Sequence, residues 1–146
     1  MVENAKEYAG FWRRFAAFMI DWVILSYFLN SLYWYIFNQI RLGSDVFNPS
    51  DTAVKIIFIP LSIIITWCYY SGMESSPLKA TIGKLLLGIF VTDLSGVRIS
   101  FAKATGRHFG KIISGAIFLI GYILAGFTEK KQALHDMMTD CLVLRK

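Results

Sequence analysis

The chain has 146 residues, of which 55% are hydrophobic and 16% aromatic, and it carries a formal net charge of +5. Its mean hydropathy of +0.52 excludes an ordinary soluble fold, and its length fits a single domain, 1–146. The basic residues flank the apolar runs and form no pattern typical of nucleic-acid binding, so no nucleic-acid partner is expected. The excess positive charge instead indicates a lipid bilayer with anionic headgroups as the partner.

Three apolar runs are candidates for membrane-spanning helices: 15–40, 53–73 and 112–128. A helix needs roughly 20 residues to cross a hydrocarbon core of about 30 Å, and the first two runs meet this length. The first contains one charge, Asp21, and the second contains Lys55, whose long side chain can reach the interface. The third is uncharged but has only 17 residues. The first run is too long and too aromatic for a signal peptide, so we expect it to be retained.

Lysine and arginine residues near the ends of the runs predict the orientation in the membrane. Three of them precede the first run and six lie in the segment 74–111, against two in the segment 41–55 that joins the first two runs. This distribution predicts a multi-pass protein of the bacterial inner or plasma membrane, with a cytoplasmic N-terminus and a cytoplasmic segment 74–111. A single third crossing would place the basic C-terminal tail outside, so the side of the C-terminus stays open.

The segment 74–111 is predicted to form a layer at the membrane surface. "ATIGKLLL" at 80–87 mixes apolar and basic residues at the spacing of a short interfacial helix. "GIFVTD" at 88–93 and "VRISF" at 97–101 flank a turn that ends in glycine, which predicts a β-hairpin. "DCLVLRK" at 140–146 also reads as a strand. If it joined the hairpin, the C-terminus would be cytoplasmic and the third apolar run would be re-entrant or split.

The fold class predicted from these patterns is an all-α membrane protein. It has about three transmembrane helices, with a small interfacial helix and a β-hairpin layer. A further helix at 102–111 is predicted to continue into the third run, and it presents Lys103, Arg107 and Lys111 at four-residue spacing. Such spacing places the three side chains on one helical face, where they are expected to meet headgroup phosphates.

Arg14 and Asp21 are the first residues that could carry chemistry. They are seven residues apart on one face of the first helix, about 10 Å along its axis, so direct pairing is not expected. A bare carboxylate in hydrocarbon costs several kcal/mol, and each residue therefore needs a partner. We predict that both belong to one polar network. That network serves either an ion or proton path or a structural role that orients the helices.

The second concentration of polar residues is "ALHDMMTD", in which His135 and Asp136 are adjacent and Asp140 follows. Such a group can relay protons, bind a metal or cap a turn, but the spacing matches no strong metal motif, so no metal is expected. Cys68 and Cys141 form no CxxC, and neither a disulfide nor a zinc site is expected. The sequence contains no recognisable nucleophile-and-base spacing and no cofactor fingerprint, which predicts neither an enzyme nor a cofactor.

Three stretches together resemble the RDD family of bacterial membrane proteins. They are "YAGFWRRFAAFMID" at 8–21, "ESSPLKATIGKLLLGIFVTDLSGVRISFAKATGRHFGK" at 74–111 and "KQALHDMMTDCLVL" at 131–144. The resemblance covers essentially the whole chain. No single stretch is long, but their order makes the match specific. The loop between the first two apolar runs is short and leaves no room for an additional soluble domain.

The resemblance assigns the arginine and the two aspartates for which the family is named. Arg14 and Asp21 match the arginine and the first aspartate, and Asp136 is the best match to the second, with Asp93 as a substitute. For function, the resemblance implies transport of unidentified ligands, including sodium/proton exchange. It also implies an alternative, since other members are regarded as organisers of larger membrane complexes.

Two functions therefore follow as hypotheses. In the transport hypothesis, which is favoured here, Asp21 binds a cation or proton, Arg14 tunes its pKa, and His135 with Asp136 forms a gate or relay. Three helices enclose little volume, so this hypothesis requires a homo-oligomer or a membrane-protein partner.

In the scaffold alternative, the same residues form an internal polar network. The small residues Gly106 and Gly110, spaced as GxxxG, would then provide a helix-packing face.

Overall fold

The computed structural model describes residues 7–42, 51–116, 128 and 131–145. Within these ranges the chain forms helices and two strands in the following order: α1 (Phe11–Leu42), α2 (Asp51–Glu74), α3 (Ile82–Leu86), β1 (Ile89–Asp93), α4 (Phe101–Ala116), α5 (Leu134–Met137) and β2 (Cys141–Arg145). The chain divides into two compact units, one comprising Trp22–Thr66 and the other Met1–Asp21 with Trp67–Lys146.

Helix α1 contains the first predicted span and is long enough to cross a membrane. Its 32 residues extend about 48 Å at 1.5 Å per residue. The uncharged stretch 22–40 has 19 residues, about 28 Å, and matches the hydrocarbon core closely. Asp21 therefore lies at the margin of this uncharged stretch. The free-energy cost of placing its carboxylate there is correspondingly lower than at the centre of a span.

Helix α2 contains the second predicted span, and Val54–Glu74 passes the same test of length and hydropathy. Pro60 lies inside this helix and has no N–H to donate to the carbonyl one turn earlier. The hydroxyl of Ser62 donates to the Ile59 carbonyl at 2.7 Å, which adds a local hydrogen bond next to the proline. The helix continues past Pro60 to Glu74.

The third predicted span, 112–128, is not confirmed. Its first residues extend α4 to Ala116, as the sequence predicted for the helix at 102–111, and 117–127 lies outside the described residues. Over the described ranges the protein is mostly helical, with two candidate spanning helices and a small antiparallel sheet.

The sheet joins distant parts of the chain. Strand β1 pairs antiparallel with β2, in a register that runs from Ile89 opposite Arg145 to Asp93 opposite Cys141. On the other edge of β2, Tyr8 bridges Leu144. The predicted strand at 140–146 is confirmed over Cys141–Arg145, and it lies between the N-terminal segment and β1.

The predicted β-hairpin was wrong, because 97–101 does not form its second strand. The carboxylate of Asp93 instead accepts hydrogen bonds from the N–H groups of Ser95 and Val97, both at 2.9 Å, and closes a turn. Ser100 then precedes helix α4 and its hydroxyl accepts from the Lys103 N–H at 3.3 Å. After these local contacts the chain enters helix α4 and forms no second strand. Strand β1 therefore pairs with β2 and not with 97–101.

Candidate functional site: two buried polar networks

Asp21 is the centre of the first network, which we call the Asp21 clamp. Its side chain is 1% exposed and accepts three hydrogen bonds. Donors are the Tyr69 hydroxyl at 2.7 Å, the Thr81 hydroxyl at 2.5 Å and the Gly83 N–H at 2.8 Å. Among the described residues, no basic side chain pairs with this carboxylate. Three neutral donors from α2 and the start of α3 therefore satisfy the carboxylate on α1.

Gly83 is required by the close approach of α3 to α1. A Cβ atom at this position would overlap the backbone carbonyl oxygen of Ala17 and lie 3.0 Å from the Asp21 carboxyl carbon. Without a side chain, the Gly83 N–H reaches the carboxylate, and Ala17 opposite it is fully buried. Small residues on both sides thus allow the backbone contact that completes the Asp21 clamp.

The second network, which we call the charged cluster, contains six residues drawn from five helices: Arg14, Glu74, Lys84, Arg107, Lys111 and Asp136. Asp136 joins two of its cations. One carboxylate oxygen pairs with Arg14, and the other accepts from Arg107 at 2.5 Å and 3.1 Å. The Ala133 N–H also donates to Asp136, at 3.3 Å, which fixes the carboxylate at the start of α5.

Arg14 is held by the backbone as well as by Asp136. Its Nε donates to the Ala9 carbonyl at 2.9 Å and one terminal nitrogen donates to the Lys131 carbonyl at 2.6 Å. The five donors and planar shape of a guanidinium suit such a many-partner site. Arg14 thereby ties the N-terminal segment to the start of the C-terminal segment.

Glu74, the last residue of α2, forms the other half of the charged cluster. It is 1% exposed and binds three cations. Arg107 donates to one of its oxygens at 2.8 Å, while Lys84 and Lys111 donate to the other at 2.6 Å and 3.1 Å. Arg107 contacts both Glu74 and Asp136, so this buried guanidinium links the two halves.

The pKa values in the cluster follow from burial and from neighbouring charges. Burial alone would raise the pKa of Asp136, but the guanidiniums of Arg107 and Arg14 outweigh it and hold this pKa well below the ordinary value. Burial would lower the pKa of Arg107, but the carboxylates of Glu74 and Asp136 raise it instead. Burial lowers the pKa of Lys84 to about 8, against the attraction of Glu74. Asp136 and Arg107 are therefore charged at neutral pH.

His135 was predicted to act with Asp136 as a gate or relay. Its Nε2 lies 3.4 Å from an Asp136 oxygen, so the structure does bring the pair together. Burial lowers the pKa of His135 to about 3, although Asp136 opposes this shift. The imidazole is therefore neutral at physiological pH, which disfavours a proton relay that depends on its charging.

The structure separates the two residues that the sequence placed in one network. Arg14 binds Asp136 in the charged cluster, whereas Asp21 binds its neutral donors in the Asp21 clamp. Asp21 and Arg14 share none of these partners, although both side chains are satisfied. Of the residues matched to the family's name, the arginine pairs with the second aspartate. Asp93, the substitute candidate, closes the turn after β1.

Of the three residues predicted to face lipid headgroups, Lys103 is exposed and Lys111 is partly buried. For Arg107 the prediction was wrong, since its side chain is 1% exposed. The reason is that α4 turns this position toward Glu74 and Asp136, and an arginine enclosed by two carboxylates cannot reach the headgroups.

Gly106 and Gly110 contact another part of the same chain. A Cβ at Gly110 would lie 3.0 Å from the His135 Cβ, and one at Gly106 would lie 3.3 Å from the Thr139 methyl. The small-residue face of α4 therefore packs on the segment that carries Asp136. This close packing brings Arg107 within reach of that carboxylate.

The sequence did not identify Glu74, Lys84 or the donors to Asp21 as site residues. One signal was present: Glu74 is a carboxylate directly after an apolar helix, and Lys84 lies within the apolar "ATIGKLLL". Both are charges in apolar surroundings, which predicts a partner for each. Among the described residues no group of three or more His, Cys, Asp and Glu side chains could hold a metal ion.

Within the described part of the chain, two apolar helices are long enough to cross a membrane, which is typical of a helical membrane protein. Comparison with known families is more specific. The model of the RDD family matches residues 8–140, and the chain belongs to this family.

Curated relatives come from Bacillus subtilis (strain 168). The uncharacterized protein YxaI is 35% identical, over 94% of this chain and 97% of YxaI. The uncharacterized membrane protein YteJ is 29% identical, over 95% of this chain and 82% of YteJ. The uncharacterized protein YckC is 27% identical, over 96% and 86%. No solved structure matches the chain.

Proposed function

We propose that this RDD protein is a non-enzymatic membrane scaffold, which joins further copies of itself or a membrane-protein partner into a larger complex. The observation that carries the proposal is the Asp21 clamp. A carboxylate that binds and releases cations must exchange its partners, whereas Asp21 is enclosed by three neutral donors. Such an arrangement is typical of a fixed contact between helices.

The charges along the chain support the same proposal. The stretches 22–40 and 56–73 contain no Asp, Glu, Lys, Arg or His. A proton or cation path along them would lack titratable side chains of these types. Transport, the function favoured from the sequence, thus stays a prediction. A path for protons or cations along these stretches would need titratable side chains from other subunits.

The proposed scaffold crosses the bacterial cell membrane twice and has both termini in the cytoplasm. The positions of the basic residues support the cytoplasmic side for the N-terminus. The C-terminal strand pairs with β1, and Tyr8 bridges it on the other edge. All three segments must therefore lie on one side of the membrane.

The chain between α4 and the C-terminal segment is too short for two more crossings. Lys111 binds Glu74, and the carbonyl of Lys131 accepts from Arg14, so both ends are held at the charged cluster. Only 19 residues lie between them. Two helical crossings would need roughly 40 residues. The proposal therefore places Lys111 and Lys131 on the same side of the membrane, in place of the single crossing predicted at 112–128.

Labelling of introduced cysteines in intact cells tests this topology. With both native cysteines replaced by serine, Ser44→Cys in the loop between the spanning helices is expected to react with a membrane-impermeant maleimide. Cysteines introduced at Val2 and Lys146 are expected to react only after permeabilisation. Labelling of Lys146→Cys in intact cells would contradict the proposed two-crossing arrangement.

The variant Asp21→Asn tests the scaffold against transport. An asparagine can keep the Tyr69 and Gly83 hydrogen bonds on its oxygen and donate to Thr81, whose hydroxyl can rotate. The expected loss of stability is about 1–2 kcal/mol, measured by thermal unfolding in detergent. In liposomes, parent and variant are both expected to show no sodium- or pH-driven flux. A flux of the parent that a folded Asp21→Asn variant lacks would overturn the proposal.

The assembly itself is tested by light scattering. Protein extracted from native membranes in a mild detergent is expected to have a protein mass well above the 16.6 kDa of one chain. The control is Lys103→Gln, which changes one exposed charge and is expected to leave the mass unchanged. A parent that elutes as a monomer under all extraction conditions would contradict the scaffold.

A further inference from the structure

Asn30 is a polar side chain in the middle of the first apolar helix. In the uncharged stretch 22–40 it follows eight residues and precedes ten, so it lies about 12 Å from one end and about 15 Å from the other. Its carboxamide is therefore near the centre of the hydrocarbon core. A carboxamide has two N–H donors and a carbonyl acceptor, and hydrocarbon offers none of them a partner.

Within the described part of the chain, no group hydrogen-bonds this carboxamide. Asn30 is exposed, and its side chain has no partner among residues 7–42, 51–116, 128 and 131–145. The other carboxamides of α1, Asn38 and Gln39, lie within one turn of the end of the uncharged stretch, close to the membrane interface. Asn30 is too deep to reach that interface, so its position favours a hydrogen-bonding partner on another helix.

Exposed side chains surround Asn30 on one face of α1. The members of this face, which we call the Asn30 face, are spaced by four, three and four residues and are all exposed: Val23, Tyr27, Asn30 and Trp34. This spacing is that of the contact positions of a coiled coil. A different side of α1 carries Tyr33, whose ring lies 5.2 Å from that of Phe58 on α2. The Asn30 face therefore lies apart from this contact with α2.

A second copy of the chain is the partner that the Asn30 face fits. Copies inserted in the same orientation carry Asn30 at the same depth, so two parallel α1 helices can bring their carboxamides together. A carboxamide both donates and accepts, and it can pair with an identical group across a two-fold axis. In coiled coils, one asparagine at a contact position fixes the register and the number of helices in the same way.

We propose that Asn30 hydrogen-bonds the same residue of a second copy, with the two Asn30 faces packed across a two-fold axis along the membrane normal. This inference deepens the proposed scaffold and rests on it, because it assigns the surface through which copies associate. Helices in lipid associate through close packing and interhelical hydrogen bonds. Asn30 supplies the hydrogen bonds, and the rings of Tyr27 and Trp34 supply contact area on either side.

Cysteine cross-linking in native membranes tests the position of the interface. With both native cysteines replaced by serine, Tyr27→Cys on the Asn30 face is expected to form a disulfide-linked dimer after addition of an oxidant. Phe28→Cys is the matched control, because Phe28 is also exposed but lies about 100° farther around the helix. The dimer yield is expected to be several-fold higher for Tyr27→Cys. Equal yields from the two variants would overturn the assignment of the Asn30 face.

Energy transfer between labelled copies in liposomes tests the role of the carboxamide. Asn30→Leu removes it and is expected to weaken association roughly tenfold, measured by dilution with lipid. Asn30→Gln keeps a carboxamide and is expected to retain most of the association. Asn38→Leu makes the same change near the end of the stretch and is expected to behave as the parent. If Asn30→Leu associated as strongly as the parent, this interface would be wrong, and the scaffold would still stand.

The same series identifies the other possible partners of Asn30. A partner within the same chain would make Asn30→Leu lower the unfolding midpoint without any change in association, and the proposed pairing would then be wrong. A different membrane protein as partner would leave the purified parent without energy transfer, while extracts of native membranes still contained particles heavier than 16.6 kDa. That outcome would overturn the second copy but not the scaffold. A monomeric parent in both measurements would contradict both proposals.

Discussion

The two compact units of this protein are stabilised by different physics. Trp22–Thr66 presents exposed aliphatic and aromatic side chains, and rings contact one another within it, as Tyr33 and Phe58 do at 5.2 Å. The remainder encloses three carboxylates and one guanidinium that are almost fully buried: Asp21, Glu74, Asp136 and Arg107. Lipid can solvate the exposed apolar side chains of the first unit. The buried charges of the second unit instead need hydrogen-bonding or oppositely charged partners. We therefore expect single substitutions to be severe in one unit and mild in the other.

The largest effect is expected for Arg107→Gln. This change leaves the buried carboxylates of Glu74 and Asp136 without their shared cation, and loss of one partner of a buried pair typically costs about 3–5 kcal/mol. Lys103→Gln, one turn earlier on the same helix, is exposed and is expected to change stability by less than about 0.5 kcal/mol. Thermal unfolding of both variants in detergent measures the difference. Similar midpoints would show that the charged cluster does not control stability.

The next effect concerns the Asp21 clamp. Gly83→Ala places a methyl group against the Ala17 carbonyl, and overpacking of this kind costs about 1–3 kcal/mol. Gly72→Ala is the matched control, because a Cβ there meets nothing within 4 Å. Inside a helix, the control is expected to be neutral or stabilising by up to about 1 kcal/mol. Unfolding midpoints that fall in both variants would contradict a specific contact at Gly83.

A moderate effect is expected from pH. The pKa of Lys84 is lowered to about 8 in the folded protein from an ordinary value of 10.5. Between these values the unfolded chain binds more protons than the folded one, so stability is expected to rise with pH across this window. Lys84→Met removes the titrating group and is expected to flatten the rise. The measurement is the unfolding midpoint from pH 7 to 10.5, and an identical slope in the variant would rule out Lys84 as its source.

At acid pH the sign is opposite. The pKa of Asp136 is held well below the ordinary 3.8 by Arg107 and Arg14, against the effect of burial. Its contribution to stability is therefore present above about pH 4 and is lost as pH falls further. Asp136→Asn is expected to be less stable at pH 7 and to lose less stability between pH 5 and 3. An unchanged acid response in this variant would contradict the assignment.

The smallest effect is expected in Trp22–Thr66. Phe58→Leu removes the edge contact with Tyr33 but keeps an apolar side chain, and an aromatic pair contributes about 0.5–1.5 kcal/mol. The expected loss is at or below the lower end of that range, because acyl chains or detergent replace the lost contact. Thermal unfolding measures it beside Arg107→Gln. A larger loss for Phe58→Leu than for Arg107→Gln would reverse the comparison between the units.

The sequence predicted what depends on local pattern. Hydropathy located α1 and α2, helical spacing located α3 and α4, and runs of β-prone residues located both strands of the sheet. The partner of β1 was predicted to be 97–101, with 140–146 only as a strand that could join the hairpin, because pairing between 89–93 and 141–145 depends on contacts across some fifty residues. The turn that follows β1 was read as the turn of a hairpin. The carboxylate of Asp93 accepts hydrogen bonds from the N–H groups of Ser95 and Val97 within that turn, and no second strand follows.

The candidate site was predicted in part for the same reason. Arg14, Asp21 and Asp136 were identified as residues that need partners, but spacing along a helix cannot reveal partners on other helices. Arg14 proved to pair with a residue 122 positions away. Arg107 was placed at the surface because its helical face is basic, and no single-helix pattern shows that two carboxylates lie opposite that face.

The contacts of the N-terminal segment also set an order of events during synthesis. Tyr8 bridges Leu144, and Arg14 pairs with Asp136. Residues near the N-terminus, which are synthesised first, therefore have partners near the C-terminus, which are synthesised last. At roughly 5–20 residues per second, the ribosome has released both spanning helices to the membrane seconds before that pairing becomes available. A chain stopped before Asp136 therefore retains an uncompensated arginine beside the bilayer. Completion of the charged cluster thus distinguishes a finished molecule from a truncated one.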